Sequence, residues 1–474
     1  MFSRWARVRA ATVVAAAAAA AVGLAPTAVA AVGDGGPVSP IAATWTPSLA
    51  TSGTDGSVER IRKIEQCGNT MYAVGLFSSI KQKVTTYARN NAFSFSATTG
   101  AMTPWAPNVN GQVNSIVLSA DCSTAYLGGT FTSINGTAAK NIAAVSTTTG
   151  VVVTAFARTA GGKVNTLARS GTHLLVGGNF TSINGSTKKY MVSLNLTTGK
   201  DDGYVNLNIS GNYVYTDDGG QQSKGNSTNV YNFSMSPDGS RLLAMGVFTS
   251  VGGQARRQIF MLDLGATSTT VNGWYSKDFD QNCHIVEPFY LQDATWSPDT
   301  SKVYVATTGY KAANGLGYRT WEPRGDLTAP FTNICDAAAA YPSGPAVQRH
   351  DWIDYTGCDS LYSVAADSSA VYTGGHQRWA DSPVQCDGNG NGTKVVSPGM
   401  SGLNLAGDSI LDPNVLVPTN RYSKGRGLGA TDMLITSAGL WIASDNAQNV
   451  DACGKTSTGA IARGHQGLCF LPYP

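Results

Sequence analysis

Apolar and polar residues alternate with a period of two along most of this chain, the spacing of strands whose successive side chains point to opposite sides. The alternation comes in a repeated frame. "AYLGGTFTSINGTAAKNIAAVSTTTG" (125–150) and "LLVGGNFTSINGSTKKYMVSLNLTTG" (174–199) are two copies, and "LLAMGVFTSVGGQARRQIFMLDLG" (242–265) is another. "MYAVGLFSSI" (71–80) precedes them, and fainter copies follow at 302–310, 370–379 and 439–447. Upstream of several copies a strand runs into Ser or Ala, then x-Asp-x-Ser, then a second strand, as in "SMSPDGSRLLAMG" and "TWSPDTSKVYVAT". Asp and Ser favour a tight turn there because their side chains bond nearby backbone amides.

One unit reads as four strands: 113–119, 125–129, 142–147 and 151–157 in the second copy, with Thr-Thr-Gly as the last tight turn. Tyr72, Tyr126, Leu175, Leu243, Tyr304, Tyr372 and Trp441 occupy equivalent positions in the second strand. Seven such units arranged radially predict an all-β fold, a seven-bladed β-propeller of four-stranded blades. The segment 41–61 resembles 100–116, in which Trp105-Ala106-Pro107 lies in an outermost strand. Trp45-Thr46-Pro47 is then an outer strand with no unit before it, while the last unit, ending at 474, lacks one. The N-terminal strand is expected to join the last blade and close the ring, which leaves no open edge.

Glycine pairs at the end of the second strand, such as Gly374-Gly375, predict close approach of neighbouring backbone rather than a phosphate cradle. The Phe that follows is expected between blades, and Ser-Ile-Asn-Gly makes the turn to the third strand. Long inserts at 201–229, 276–290, 309–357 and 376–400 are expected on one face. That is where loops on a rigid scaffold carry binding residues.

Composition changes the picture outside residues 31–474, which are read as one domain. Arg4, Arg7 and Arg9, an apolar run at 11–24 and Ala28-Val29-Ala30 read as a secretory signal peptide over 1–30, so the mature protein is expected to be secreted and extracellular. The run is too short for a membrane span. The chain carries 33 basic and 30 acidic residues, and the first thirty include three of the arginines, which leaves 30 against 30. That balance gives no footprint for nucleic acid or an anionic membrane. The eight cysteines are an even number and include no C-x-x-C, which suits an oxidising compartment. Local pairing gives Cys67–Cys122, Cys283–Cys335, Cys358–Cys386 and Cys453–Cys469, one of 105 connectivities.

The candidate chemistry sits in the inserts. His350, Asp351, Trp352, Asp354, His376, Gln377, Arg378, Trp379 and Asp381 are placed together on the loop-rich face, where an aromatic and several polar groups suit a sugar. His376 and Arg378 equally suit a structural role, satisfying buried carbonyls beneath the loops. Asp387, Asn389 and Asn391 match the first half of a calcium loop, but its twelfth position is Pro398 where Glu is needed, so a plain Asn-Gly loop is the other reading. Calcium is the one cofactor with any motif behind it. G-x-S-x-G and H-E-x-x-H are missing. A carboxylate pair for glycoside cleavage converges in space rather than in sequence, and Asp351, Asp354 and Asp381 are its first candidates.

The "YxGGxFTSING…TG" pattern, with 355–381, 420–434 and 439–447, resembles delta-60-type repeats of secreted bacterial β-propellers. The resemblance implies a secreted seven-bladed propeller and brings in 376–379 and Arg426 as motif residues, without an activity. The expected function is a lectin-like binding module for an extracellular glycan or a secreted or cell-surface protein. The alternatives are a polysaccharide hydrolase or lyase, or a scaffold in a larger secreted assembly.

Overall fold

The computed structural model describes residues 36–39, 41–50, 59–216, 220–223, 225–283, 288–309, 329–356, 360–375, 377, 400–403, 429–446, 452–455, 457–458, 461–463 and 466–474. Chain contacts divide it into Met1–Ala30 and Ala31–Pro474. Among the described residues the structure is all-β, with one short 3-10 turn at Lys277–Asp280.

Seven antiparallel sheets follow one another along the chain, with four small ribbons beside them, among the described residues. Their first strands are Arg60–Cys67, Val113–Leu118, Val164–Ser170, Asn229–Met235, Leu291–Trp296, Leu361–Ala366 and Ala430–Thr436. Each first strand packs against the next, and that of the seventh sheet packs against that of the first, so the order of contacts returns to its start.

Each sheet is buried on both sides. Seven apolar clusters among the described residues are each drawn from two successive sheets; Tyr72 and Val74 meet Val113 and Leu127, for example, and Ile61 and Ile64 meet Trp441 and Phe470. The second-strand series from Tyr72 to Trp441 is buried throughout. Phe77, Phe131, Phe180 and Phe248, which follow the glycine ends, are buried too.

The turns form as their residues require. Asp121, Asp238 and Asp299 each accept the amide of the Ser two residues on, at 3.1, 3.0 and 3.0 Å, and Asp367 does so at 2.8 Å. Asn135 and Gly136 both have positive φ, 49° and 79°, which turns the chain at Ser-Ile-Asn-Gly. A Cβ on Gly375 would lie 2.2 Å from the Ser360 carbonyl oxygen, so only glycine admits the neighbouring strand there.

Two expectations need correcting. The fourth strand is a full ladder only at Thr269–Val271 and Trp352–Tyr355 among the described residues. Elsewhere it shrinks to single bridges, at Met102, Val152 and Asp201, because the chain there pairs at one point and turns away. The expected insert at 309–357 contains two strands, Ala337–Pro342 and Trp352–Tyr355. Its Ala337–Ala340 run hides a strand because, buried on both sides, it has no alternation.

The N-terminal segment lies along Leu468–Pro472: Ser39 N donates to Pro472 O (2.7 Å), Ala43 N to Phe470 O (2.9 Å) and Leu49 N to Gln466 O (2.9 Å). Trp45 stands 5.7 Å from the Trp441 ring and 5.8 Å from Phe470. Cys67–Cys122 ties the first sheet to the second with Cα atoms 6.1 Å apart, and Cys283–Cys335 closes a second link at 5.6 Å. In chain-entropy terms a loop of this length constrains the unfolded state by about 4 kcal/mol. Cys469 is disulfide-bonded, and Cys358 and Cys386 lie outside the described residues.

Candidate functional site

Each sheet has two ends. The Ser-x-Asp-x-Ser turn joins first and second strands at one end, and the second strand finishes at the other, from which the connections 308–336, 376–399 and 445–467 leave. His350 and Asp351 are at the turn end of the fifth sheet: Trp352 pairs with Ala340, Pro342 pairs with Lys302, and Asp351 forms an ion pair with Lys302. Gln377, just beyond Gly375, which ends a second strand, belongs to the opposite end. The described candidates His350–Trp352 and Gln377 therefore stand at opposite ends of their sheets, while 376 and 378–381 lie outside the described residues. The cause is that 309–357 holds the third and fourth strands of the fifth sheet, which carry the chain across the sheet and back.

The described candidates also have partners. His350 Nδ1 is 2.9 Å from Oδ2 of the fully buried Asp278. Trp352 stacks on Tyr304 with centroids 6.0 Å apart, Asp354 is buried, and Gln377 Nε2 donates to the Thr373 carbonyl at 3.2 Å. For Gln377 this is the structural role. His376, Arg378, Trp379, Asp381, Arg426 and the calcium candidates Asp387, Asn389 and Asn391 lie outside the described residues. Among the described residues no cluster of three His, Cys, Asp or Glu is placed to hold a metal ion. Ser193, Asp202 and His173 come together, but Ser193 Oγ donates to Asp202 (2.6 Å), as His173 Nδ1 approaches the other oxygen (2.7 Å). The serine is spent on the carboxylate, so no base activates it.

A different group of polar side chains converges. The first strand of every sheet carries a β-bulge at the same place, and the residue left out of the ladder is Arg62, Asn114, Asn165, Tyr231, Gln292, Tyr362 or Thr431. All seven are polar. Asn114 Nδ2 donates to Val164 O (2.8 Å) and Asn165 Nδ2 to Val230 O (2.9 Å). Tyr231 and Thr431 donate in the same way to Leu291 O and Ile61 O. Each acceptor is the residue just before the next sheet's bulge, where the ladder leaves a carbonyl in need of a donor.

The next residue along carries charge in three sheets. Lys63 Nζ meets Asp432 Oδ1 at 2.7 Å, and Ile64 N donates to Oδ2 at 2.9 Å. Asp293 accepts from Asn232 Nδ2 (2.8 Å) and Val364 N (2.9 Å). These bonds join sheets four to six and seven to one.

No protein-family model matches this chain, and no curated protein matches it at a significant level. The likeness in the repeat motifs therefore stands without a family assignment, and the site has to be read from its own chemistry.

Burial sets that chemistry. It pushes the Glu65 carboxyl up to about 7, with Asp432 adding to the rise and Lys63 and Arg169 opposing it. It pushes Asp293 up to about 6 against the pull of its amide donors and Lys63. Burial also disfavours the Lys63 ammonium, but attraction to Asp432 outweighs this and raises its pKa. Arg62 is lowered to about 10 by burial and then by Arg60. Lys163, in the third sheet, is lowered by burial and then by Arg62. Charged side chains of different sheets therefore influence one another here, Lys63 and Asp432 by direct contact.

A pH dependence follows. A carboxyl whose folded pKa lies above its unfolded value of about 4.3 binds extra protons in the folded state, so stability falls as pH rises between the two. For Glu65 that window runs from the unfolded value up to about 7. The melting temperature is expected to be higher at pH 5.5 than at pH 8, and Glu65→Gln to narrow the gap. A pH scan by differential scanning fluorimetry checks it; an unchanged gap in the variant refutes the assignment.

The bulge belt is hidden in the sequence for a physical reason. A bulge adds one residue and breaks the period of two, so Arg62-Lys63 reads as an irregularity rather than as two levels of one site. The recurring signal is a polar residue at the second or third position of the first strand.

Proposed function

We propose that this chain is a seven-bladed β-propeller, closed where its N-terminal strand completes the last sheet, and that it is a secreted module that binds an extracellular glycan. The cyclic contact of the seven first strands, with their polar bulge belt, is the observation that carries this reading. Seven apolar clusters between successive sheets and the bonds of Ser39, Ala43 and Leu49 to the last strand support the ring and its closure. Oxidised cysteines support export.

Binding rather than cleavage is favoured by how the polar groups are used. Asp432 is occupied by Lys63 and an amide, and Asp293 by an amide and Asn232, so neither is set up as a nucleophile. Sugar hydroxyls suit such a surface, since each donates and accepts. The long connections at 308–336 and 376–399 leave from the bulge end, which makes that end the recognition face; Arg378 and Trp379 belong to the second of these connections.

Immobilised protein is to be challenged with neutral and acidic polysaccharides, with reducing ends assayed in the eluate. Retention without new reducing ends is the expected result. New reducing ends indicate a hydrolase, and retention of secreted proteins alone indicates a protein partner. Arg378→Ala with Trp379→Ala is expected to reduce retention by tenfold or more at an unchanged melting temperature.

A further inference from the structure

We infer that the bulge-end mouth of the space enclosed by the first strands is a site for the carboxylate of an acidic sugar, held by Arg60, Arg62 and Lys163. This deepens the glycan-binding reading above and rests on it.

Arg62 occupies the position at which sheets two, three, four and seven place a neutral donor on the next sheet's carbonyl. It makes no such bond, and no ion pair, among the described residues. Nε of Arg60 is buried without an acceptor among them. The Lys163 ammonium is also unpaired there. Arg60 and Lys163 stand at one level of their sheets. A Cβ on Gly75 would meet the Arg60 carbonyl at 2.0 Å, and one on Gly178 the Lys163 carbonyl at 2.2 Å, so both residues occupy the same place relative to the glycine that ends their second strand. Arg62 is two residues further in, and it lowers the pKa of Lys163 as Arg60 lowers its own.

Cations brought together and partly dried are costly unless an anion joins them. Folding alone does not require Arg62, because asparagine serves the bulge position in two other sheets. No acidic side chain among the described residues pairs with Arg62 or Lys163, and an exogenous anion fits that place.

The layer beneath selects its kind. Glu65 has no hydrogen-bond partner among the described residues, and neither has Gln292. Asp293 and Asp432 keep negative charge close by. A dianionic phosphate is repelled by three acidic groups. A uronic acid carries one charge for the cations and hydroxyls that bond to the carboxyl and amide oxygens.

The test is calorimetric titration of the full mature protein with uronate trimers (galacturonate, glucuronate, mannuronate), the matching neutral trimers and sulfated sugars, at low and high salt. Wild type is compared with Arg62→Gln and Lys163→Gln; the first introduces the side chain that Gln292 already places at the equivalent position. A uronate trimer is expected to bind at least about tenfold more tightly than its neutral counterpart, and each variant to lose about tenfold. Salt weakens the wild-type binding, while the melting temperatures agree. Equal binding by wild type and variants, equal binding of neutral trimers, or a preference for sulfated sugars overturns this site and leaves the glycan-binding reading in place. If no sugar binds, both fail.

Discussion

Deleting residues 36–50 is expected to destabilise the whole protein and leave it prone to associate. The segment bonds the last strand through Ser39 and Ala43 and Gln466 just before it through Leu49; Val38 and Ala42 are buried between the sixth and seventh sheets, and Leu49 between the seventh and the first. Val38 N also donates to the Tyr372 hydroxyl (3.0 Å), which itself bonds Asp367 (2.8 Å). Exposing two aliphatic side chains and the face of Trp441 costs about 5 kcal/mol or more. The freed edge of Leu468–Pro472 then offers unpaired backbone to another copy. Differential scanning calorimetry is expected to show a melting temperature lower by roughly 10 °C, and size-exclusion chromatography a shift toward oligomers. Adding the 36–50 peptide should restore part of the loss. A truncated protein that melts with the wild type as a monomer would show that the segment does not complete the last sheet.

Asp278→Ala is the point substitution with the largest expected cost. Asp278 has no exposed surface and accepts from Thr332 N (2.7 Å), the Tyr341 hydroxyl (3.1 Å) and His350 Nδ1 (2.9 Å). It joins the 3-10 turn at 277–280 to the connection before Ala337 and to the start of Trp352–Tyr355. Alanine leaves three donors without an acceptor in the interior, a loss of about 3–5 kcal/mol. Asn keeps one acceptor oxygen, and a smaller loss is expected. The same measurement decides the role of His350. Because its ring is committed to Asp278, His350→Ala is expected to lower the melting temperature and leave glycan retention unchanged. Lost retention at unchanged stability would return His350 to the binding face.

The contrast between Tyr126 and Arg62 shows how far the residues alone could be read. Tyr126 is one of a series at a fixed place in a repeated strand–turn–strand frame, and such a position can only face another sheet. The Asp-Ser turns and the Asn-Gly turn are equally local, since side chain and acceptor lie within a few residues. Trp45 copies Trp105, which predicts an outer strand, but it stands in a turn, with its ring against Trp441 and Phe470. The Ala337–Ala340 strand was not legible, because burial on both sides removes the alternation that marks a strand.

Strand order, turn chemistry and the repeat frame lie in the chain itself, because each depends on neighbours a few residues away. The pairing of Lys63 with Asp432 and the burial of His350 on Asp278 depend on residues far apart in the chain, separated by 369 and 72 positions. Only packing sheet against sheet sets those distances, and the burial it brings pushes carboxyls such as Glu65 and Asp293 up.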